Sequence, residues 1–361
     1  MKALKKKSLA GCILAAGLLA GAALAQTGNP GGAINDNLGD FNYGVCRGTD
    51  ARCFHDWTRA PHTGQYRVLL FTHTAGPRHA DLGPALAAGL NPQLADANVV
   101  HSAMLKIAAA NDWHLDYTED VTQMTNLDSY NAVVFFSTSR DNLDDNAKTA
   151  LRQYMRAGGG FVAIHNAFGT LYNWPYYEGL LGNANYYNHG PERSGDVVIE
   201  DNKDVSTRGL PKRWKFRDEW YNLVPFPTHV RFLATVDEKS WDANEARGGF
   251  EAGPPPAAAV APGAPPADAA GRGGRAGAGR GGRGGGGGRA PSVVGTMPGH
   301  GSFHPVAWCQ YYDGGKAWMT TLGHDAADFA DDDTKFPGSV EFVKMITGGI
   351  KSVMGQEQFC Q

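Results

Sequence analysis

Gly158-Gly159-Gly160-Phe161-Val162-Ala163-Ile164-His165 is the stretch whose reading decides the fold. Three glycines lead into a short apolar run that stops on a histidine. A continuous apolar run bounded by turn residues reads as a strand buried on both faces of a parallel sheet. Open α/β sheets carry their chemistry at the C-terminal ends of such strands. A reactive residue at a strand-to-helix turn is the layout of a nucleophile elbow. Here that residue is His165, followed by Asn166 and Ala167, and no Gly-x-Ser-x-Gly occurs. A serine or cysteine hydrolase triad is therefore disfavoured.

Outward from this stretch the pattern repeats. Arg67-Val68-Leu69-Leu70-Phe71-Thr72 reads as a buried strand, and Trp113–Thr118 and Ala132–Phe136 as two more. Helical patterns are expected around residues 81–90 and 96–111, the second stopping at Asn111-Asp112. Residues 143–157 show helical spacing at Leu143, Ala147, Leu151, Tyr154 and Met155. The order β-α-β-β-α-β argues a mostly parallel sheet covered by helices on both faces, an α/β fold. Downstream, residues 196–200 and 231–236 read as strands. Residues 306–312 and 317–321 read as a hairpin around Asp313-Gly314-Gly315, and 336–354 as a closing amphipathic helix.

The N-terminus reads as an export signal over residues 1–25. Lys2, Lys5, Lys6 and Lys7 precede an apolar run, and Ala23-Leu24-Ala25 is a small-residue cleavage site. The apolar run is short for a membrane span, so none is expected to persist after cleavage. Export implies a periplasmic or secreted protein in an oxidising compartment. Removing the signal leaves Cys46, Cys53, Cys309 and Cys360. Of the three pairings four cysteines allow, Cys46–Cys53 with Cys309–Cys360 is expected. Residues 26–65 form an irregular N-terminal extension, residues 66–355 the main domain and 356–361 a tail. Residues 243–294 interrupt the domain with Pro254-Pro255-Pro256 and glycine-spaced Arg272, Arg275, Arg280, Arg283 and Arg289. That composition buries too little apolar surface to offset chain entropy, so a disordered surface insertion is expected. A formal charge of -3 and export set aside a nucleic-acid partner, despite the RGG-like spacing.

All 12 histidines lie in the mature chain, several at expected strand ends: His73, His79, His165, His189, His300, His304 and His324. Loops at strand C-termini converge, so several of these imidazoles are expected to share one crevice. There they would bind a metal, act as acid and base, or grip hydroxyl groups. His165, His189 and His324 are the metal candidates, with a divalent ion, zinc foremost, as cofactor, although no HExxH spacing marks the site. Asp218-Glu219-Trp220-Tyr221 suits a carbohydrate site, in which aromatics stack on sugar faces and a carboxylate works as acid or base. Trp174, in a second aromatic cluster just after the His165 turn, fits helix-start packing or, as a further candidate, sugar contact.

Four motifs together resemble the trehalose-utilisation (ThuA-like) family. They are Thr72 to His79, Gly158 to His165, Asp218 to Tyr221, and His304 to Lys316 continuing through Leu322-Gly323-His324. The resemblance spans about residues 68–354, apart from the insertion. It implies a class I glutamine-amidotransferase-like fold, a flavodoxin-like three-layer sandwich. Glutamine amidotransferases carry a catalytic cysteine at the elbow, so His165 argues against glutaminase activity. The family is linked to use of trehalose and related disaccharides, which implies a small-molecule carbohydrate as partner and chemistry on a disaccharide or keto-glycoside. By motif position His79, His165, Glu219, His304 and His324 are expected to line the pocket, with His165 and Glu219 catalytic and His79, His304 and His324, joined by the aromatics Trp174 and Tyr221, binding substrate. A non-catalytic carbohydrate-binding module is the alternative.

Overall fold

The computed structural model describes residues 44–57, 64–242, 299–330 and 332–360. In chain order the first half holds β1 (Arg47–Gly48), β2 (Tyr66–Phe71), α1 (Val99–Ala110), β3 (Trp113–Thr118), β4 (Ala132–Phe136), α2 (Asp145–Arg156) and β5 (Gly160–Ile164). Then follow α3 (Pro175–Leu180), β6 (Tyr186–His189), β7 (Arg193–Ile199), β8 (Arg213–Asp218), β9 (Tyr221–Leu223) and β10 (Arg231–Asp237). The hairpin β11 (His304–Tyr312) and β12 (Gly315–Thr320) and the helix α4 (Ser339–Met354) close the chain.

One large sheet runs in the order β3-β2-β4-β5-β12-β11-β10-β7-β8, with β1 added beside β11. β3, β2, β4, β5 and β12 are mutually parallel. From β12 onward every pairing is antiparallel. The parallel half is the α/β sandwich that the strand order implied, and the antiparallel half grows from the hairpin at Asp313-Gly314. β6 and β9 form a small separate sheet.

Successive side chains on the parallel strands point to opposite faces, and both faces are covered. Val68, Leu70, Val134, Phe136, Val162 and Ile164 pack with α1 and α4 through Met104, Ile107, Phe342 and Ile346. Leu69, Phe71, Val133, Phe135, Phe161 and Ala163 pack with α2 and α3 through Leu151, Tyr154, Met155 and Leu180. Double-sided burial is why these strands read as unbroken apolar runs.

The glycine triplet has three separate jobs. Gly158 takes a φ of 104° just past the end of α2, and its N–H bonds to Met155 O while Gly159 N–H bonds to Tyr154 O. That pair of bonds is the Schellman stop of a helix. A Cβ on Gly159 would strike the Tyr154 ring. A Cβ on Gly160 would lie 2.7 Å from Asn131 O and 2.8 Å from Val353 O, so glycine lets β5 pass two backbones closely.

Two expectations change. Residues 81–90 do not form a helix; only a 3-10 turn at Ala80–Leu82 exists. Gly83, at φ 64°, lies against the backbone of Ala97, Pro84 follows, and Gly89 is also left-handed. The segment instead reaches the edge of β3, where Asn91 exchanges hydrogen bonds with the Tyr117 backbone. The N-terminal extension is also less loose than its composition suggests. β1 joins the large sheet, and Trp57 N–H bonds to Ala157 O.

The disulfides are Cys46–Cys53 and Cys309–Cys360, the expected pairing. The second spans 51 residues and ties the tail beyond α4 to β11. Loop-closure entropy makes it worth about 4 kcal/mol, against about 2 kcal/mol for the short loop. Residues 1–25 and 243–294 lie outside the described residues, as does most of 26–65. Among the described residues no helix is long and apolar enough to cross a membrane.

Candidate active site

β5 ends at Ile164, and His165 turns the chain at a φ of 52° into a 3-10 turn, His165–Gly169. A left-handed conformation on a non-glycine residue stores strain, and such residues cluster at functional sites. The His165 ring is fully buried. Its Nδ1 donates to Thr321 O at 3.0 Å, just past the end of the parallel neighbour β12. The lone pair is then at Nε2. Three groups face it: Tyr221 Oη at 2.9 Å, His79 Nε2 at 3.1 Å and His324 Nδ1 at 3.4 Å.

Sheet topology brings these residues together. His79 lies in the loop after β2, His165 after β5 and His324 after β12, all at the C-terminal ends of parallel strands. Arg78 straps the first of these loops. It donates to Gly83 O at 2.7 Å and Pro84 O at 3.0 Å, and pairs with Glu119 at 2.7 Å. Glu219 follows β8, its Oε2 3.2 Å from His324 Nδ1 and 3.5 Å from His189 Nε2.

Ligand atoms of His79, His165, Glu219 and His324 all lie within 4.8 Å of one another. Nitrogens bound to one zinc at about 2.0–2.1 Å sit roughly 3.0–3.4 Å apart for bond angles of about 90–110°. The His165–His79 and His165–His324 separations fall in that range. The backbone grip of Thr321 on His165 Nδ1 is the outer support that a metal-binding imidazole ordinarily has. His79 Nδ1 has no such partner.

Electrostatics divide the cluster. Burial, then the charges of His79 and His324, push His165 well below its ordinary pKa. Burial and His324 push His79 down to about 4. Burial alone would raise Glu219, but the His324 hydrogen bond and the charges of His189 and His324 outweigh it and hold the carboxyl below its usual range. Burial opposes the charge on His324 too, yet the hydrogen bond and charge of Glu219 raise it to about 9. Burial lifts Asp218, beneath the cluster, to about 8.

The cluster opens on a cavity of about 460 Å³. Tyr172, Tyr186 and Tyr221 line it alongside Asp81, Arg140, Asn166 and His189. His189 is therefore in the cavity but outside the four-residue cluster. Two expected substrate contacts are not in it. Trp174 stacks on Tyr176 at 5.2 Å and is not a lining residue. His304 is fully buried behind the wall, donating from Nε2 to Tyr221 O at 2.9 Å with Nδ1 2.8 Å from Glu238 Oε1. His300 Nε2 accepts from Leu223 N–H at 2.9 Å, so both histidines brace β9. Sequence reasoning missed Asp81, Asn166, Tyr172 and Tyr186. Only the nearness of Asn166 to the elbow pointed to any of them.

A largely parallel α/β sheet whose elbow carries histidine where a nucleophile would stand defines an α/β protein with neither serine nor thiol at that turn. The chain belongs to the ThuA family, described as trehalose utilisation, which matches residues 67–351. Its structure is similar to that of a putative ThuA-like protein from Bacteroides uniformis ATCC 8492, at 16% identity and a TM-score of 0.53, covering 82% of this chain and 95% of that one. A putative ThuA-like protein from Parabacteroides merdae ATCC 43184 is similar at 14% identity and a TM-score of 0.50, covering 81% and 91%. At these identities the likeness is one of fold. No curated protein matches the chain.

Proposed function

We propose that the protein is an exported enzyme that acts on a disaccharide or keto-glycoside by metal-assisted acid–base chemistry. The observation that carries this reading is the convergence of His79, His165, His324 and Glu219 on the mouth of one cavity. His79 and His165 would hold a divalent cation through Nε2 and His324 through Nδ1. Three protein ligands leave the open position that catalysis needs, and a nitrogen-rich set makes zinc the first ion to test. When bound, the ion supplies Lewis-acid polarisation of a sugar oxygen. Glu219, kept ionised beside the open position, is the acid–base group. Tyr172 and Tyr186 add aromatic surface to the cavity wall, which suits a sugar. The family description as trehalose utilisation supports a disaccharide. The two disulfides fit an oxidising compartment and hence the export signal.

The test is metal content by elemental analysis, with turnover of trehalose and its keto derivatives. His165→Ala is expected to lose the metal and at least about 100-fold of turnover while still folding, with native secondary structure by circular dichroism and a lower melting temperature. Undiminished activity in that variant sinks the role of His165. Saturable sugar binding with no product and no metal favours the binding module, a reading that the tyrosine wall alone would satisfy.

A further inference from the structure

Asn166 directly follows His165 in the elbow and lines the cavity. The residue is only 8% exposed. Among the described residues its side-chain amide has no hydrogen-bond partner in the protein, and only its backbone carbonyl is engaged, by Thr170 Oγ1. Buried amides are almost always paired. The Asn166 amide is not sealed off but opens into the cavity, where an entering ligand can pair it.

Its orientation is set from below. A Cβ built on Gly169 would lie 2.4 Å from Asn166 Oδ1 but 3.4 Å from Nδ2. The oxygen end therefore rests on Gly169, in space that only glycine leaves, and the NH₂ end is turned away from it. Around it the cavity is rich in acceptors, among them Asp81, Glu219 and Asp325. A neutral donor beside the cluster is suited to an oxygen of the ligand.

We propose that Asn166 Nδ2 donates to a carbonyl or hydroxyl oxygen of the bound sugar next to the His165 cluster, with Gly169 keeping the room that aims it. This deepens the carbohydrate reading and rests on it. A preorganised donor of this kind is worth most as negative charge develops on the oxygen. The substrate class is then a sugar whose reacting carbon bears that oxygen, a ketose-like or keto-glycoside ring.

Asn166→Asp keeps the shape and replaces the donor with an acceptor. Gly169→Ala leaves Asn166 in place and drives a methyl group into Oδ1, which a side-chain rotation relieves. Trehalose and keto-trehalose are the probes, with kcat and KM, metal content and melting temperature measured on the full-length protein. Asn166→Asp is expected to lose about 100-fold of kcat/KM, or of affinity if the protein only binds, with wild-type metal content and melting temperature. Gly169→Ala is expected to show a smaller loss of the same kind. Wild-type sugar handling in both variants, or a loss that follows a fall in melting temperature, overturns the proposal. A wild-type protein that neither binds nor turns over any of these sugars overturns the carbohydrate reading as well. A working wild type with an indifferent Asn166→Asp overturns the assignment of Asn166 alone.

Discussion

His165 has one nitrogen spent on Thr321 O and the other aimed at a cluster, so its ring is fixed in tautomer and direction before any ligand arrives. His304 shows how differently a second histidine of the same neighbourhood is used. Both of its nitrogens meet protein acceptors, Tyr221 O and Glu238 Oε1. His304→Phe strands the buried Tyr221 carbonyl and takes one partner from Glu238, at a cost of about 2 kcal/mol. His324→Phe removes a cluster member that is partly exposed to the cavity and leaves Glu219 with His189 alone but strands no buried carbonyl, so the expected loss is chiefly in metal and sugar handling, with a smaller fall in stability than at His304. Urea midpoints of the two variants check this, and equal midpoints would count against the distinction. In the sequence these two histidines look alike, each flanking one strand of the hairpin. β11 is buried along its whole length, so its pattern carries no alternation to say which way His304 points. The convergence of His79, His165, Glu219 and His324 was legible because all four follow strand ends; the place of His304 behind Tyr221 was not.

At the scale of elements, periodic segments were readable and punctuated ones were not. α2 and α4 follow their apolar spacing, and α2 opens on Asp144 bonding Ala147 N–H at 2.8 Å. Residues 81–90 carry enough leucine and alanine to look helical, but Gly83, Pro84 and Gly89 dictate a loop. α1 packs under that loop and brings a buried polar group with it. His101 Nε2 lies 2.8 Å from Thr72 Oγ1, and burial followed by the charge of Arg78 lowers its pKa to about 4. The unfolded value is about 6.5, so between about pH 4 and 6.5 the unfolded chain binds more protons. Stability is then complete above about pH 6.5 and falls as the pH drops toward 4, by up to about 3 kcal/mol from this residue. His101→Gln is expected to flatten that part of the profile. Urea unfolding at about pH 7 and about pH 4.5 gives the difference, and an unchanged slope in the variant would assign the pH dependence elsewhere.

At the scale of the molecule, the question is whether the compositional break at residues 243–294 divides the protein. β10 and β11 stand on either side of it and are antiparallel neighbours in one sheet, with Val236 opposite His304. Both flanks also meet at Glu238, which accepts from Gly301 N–H at 3.1 Å and touches His304. The break therefore joins adjacent strands of a single domain, as the strand patterns on each side suggested, and the antiparallel half of the sheet continues across it. Joining residue 243 to residue 298 through a short Gly-Ser linker should leave that sheet intact. Shortening the connection roughly five-fold lowers the closure entropy, a gain of about 1.4 kcal/mol. The shortened protein is expected to be at least as stable as the full chain, with the same metal content and sugar handling. A loss of more than about 2 kcal/mol in urea unfolding would mean that the segment contributes packing the flanks do not reveal. Retained stability with altered KM would instead make it part of the approach to the cavity, because the strand it leads into braces the backbone of Tyr221.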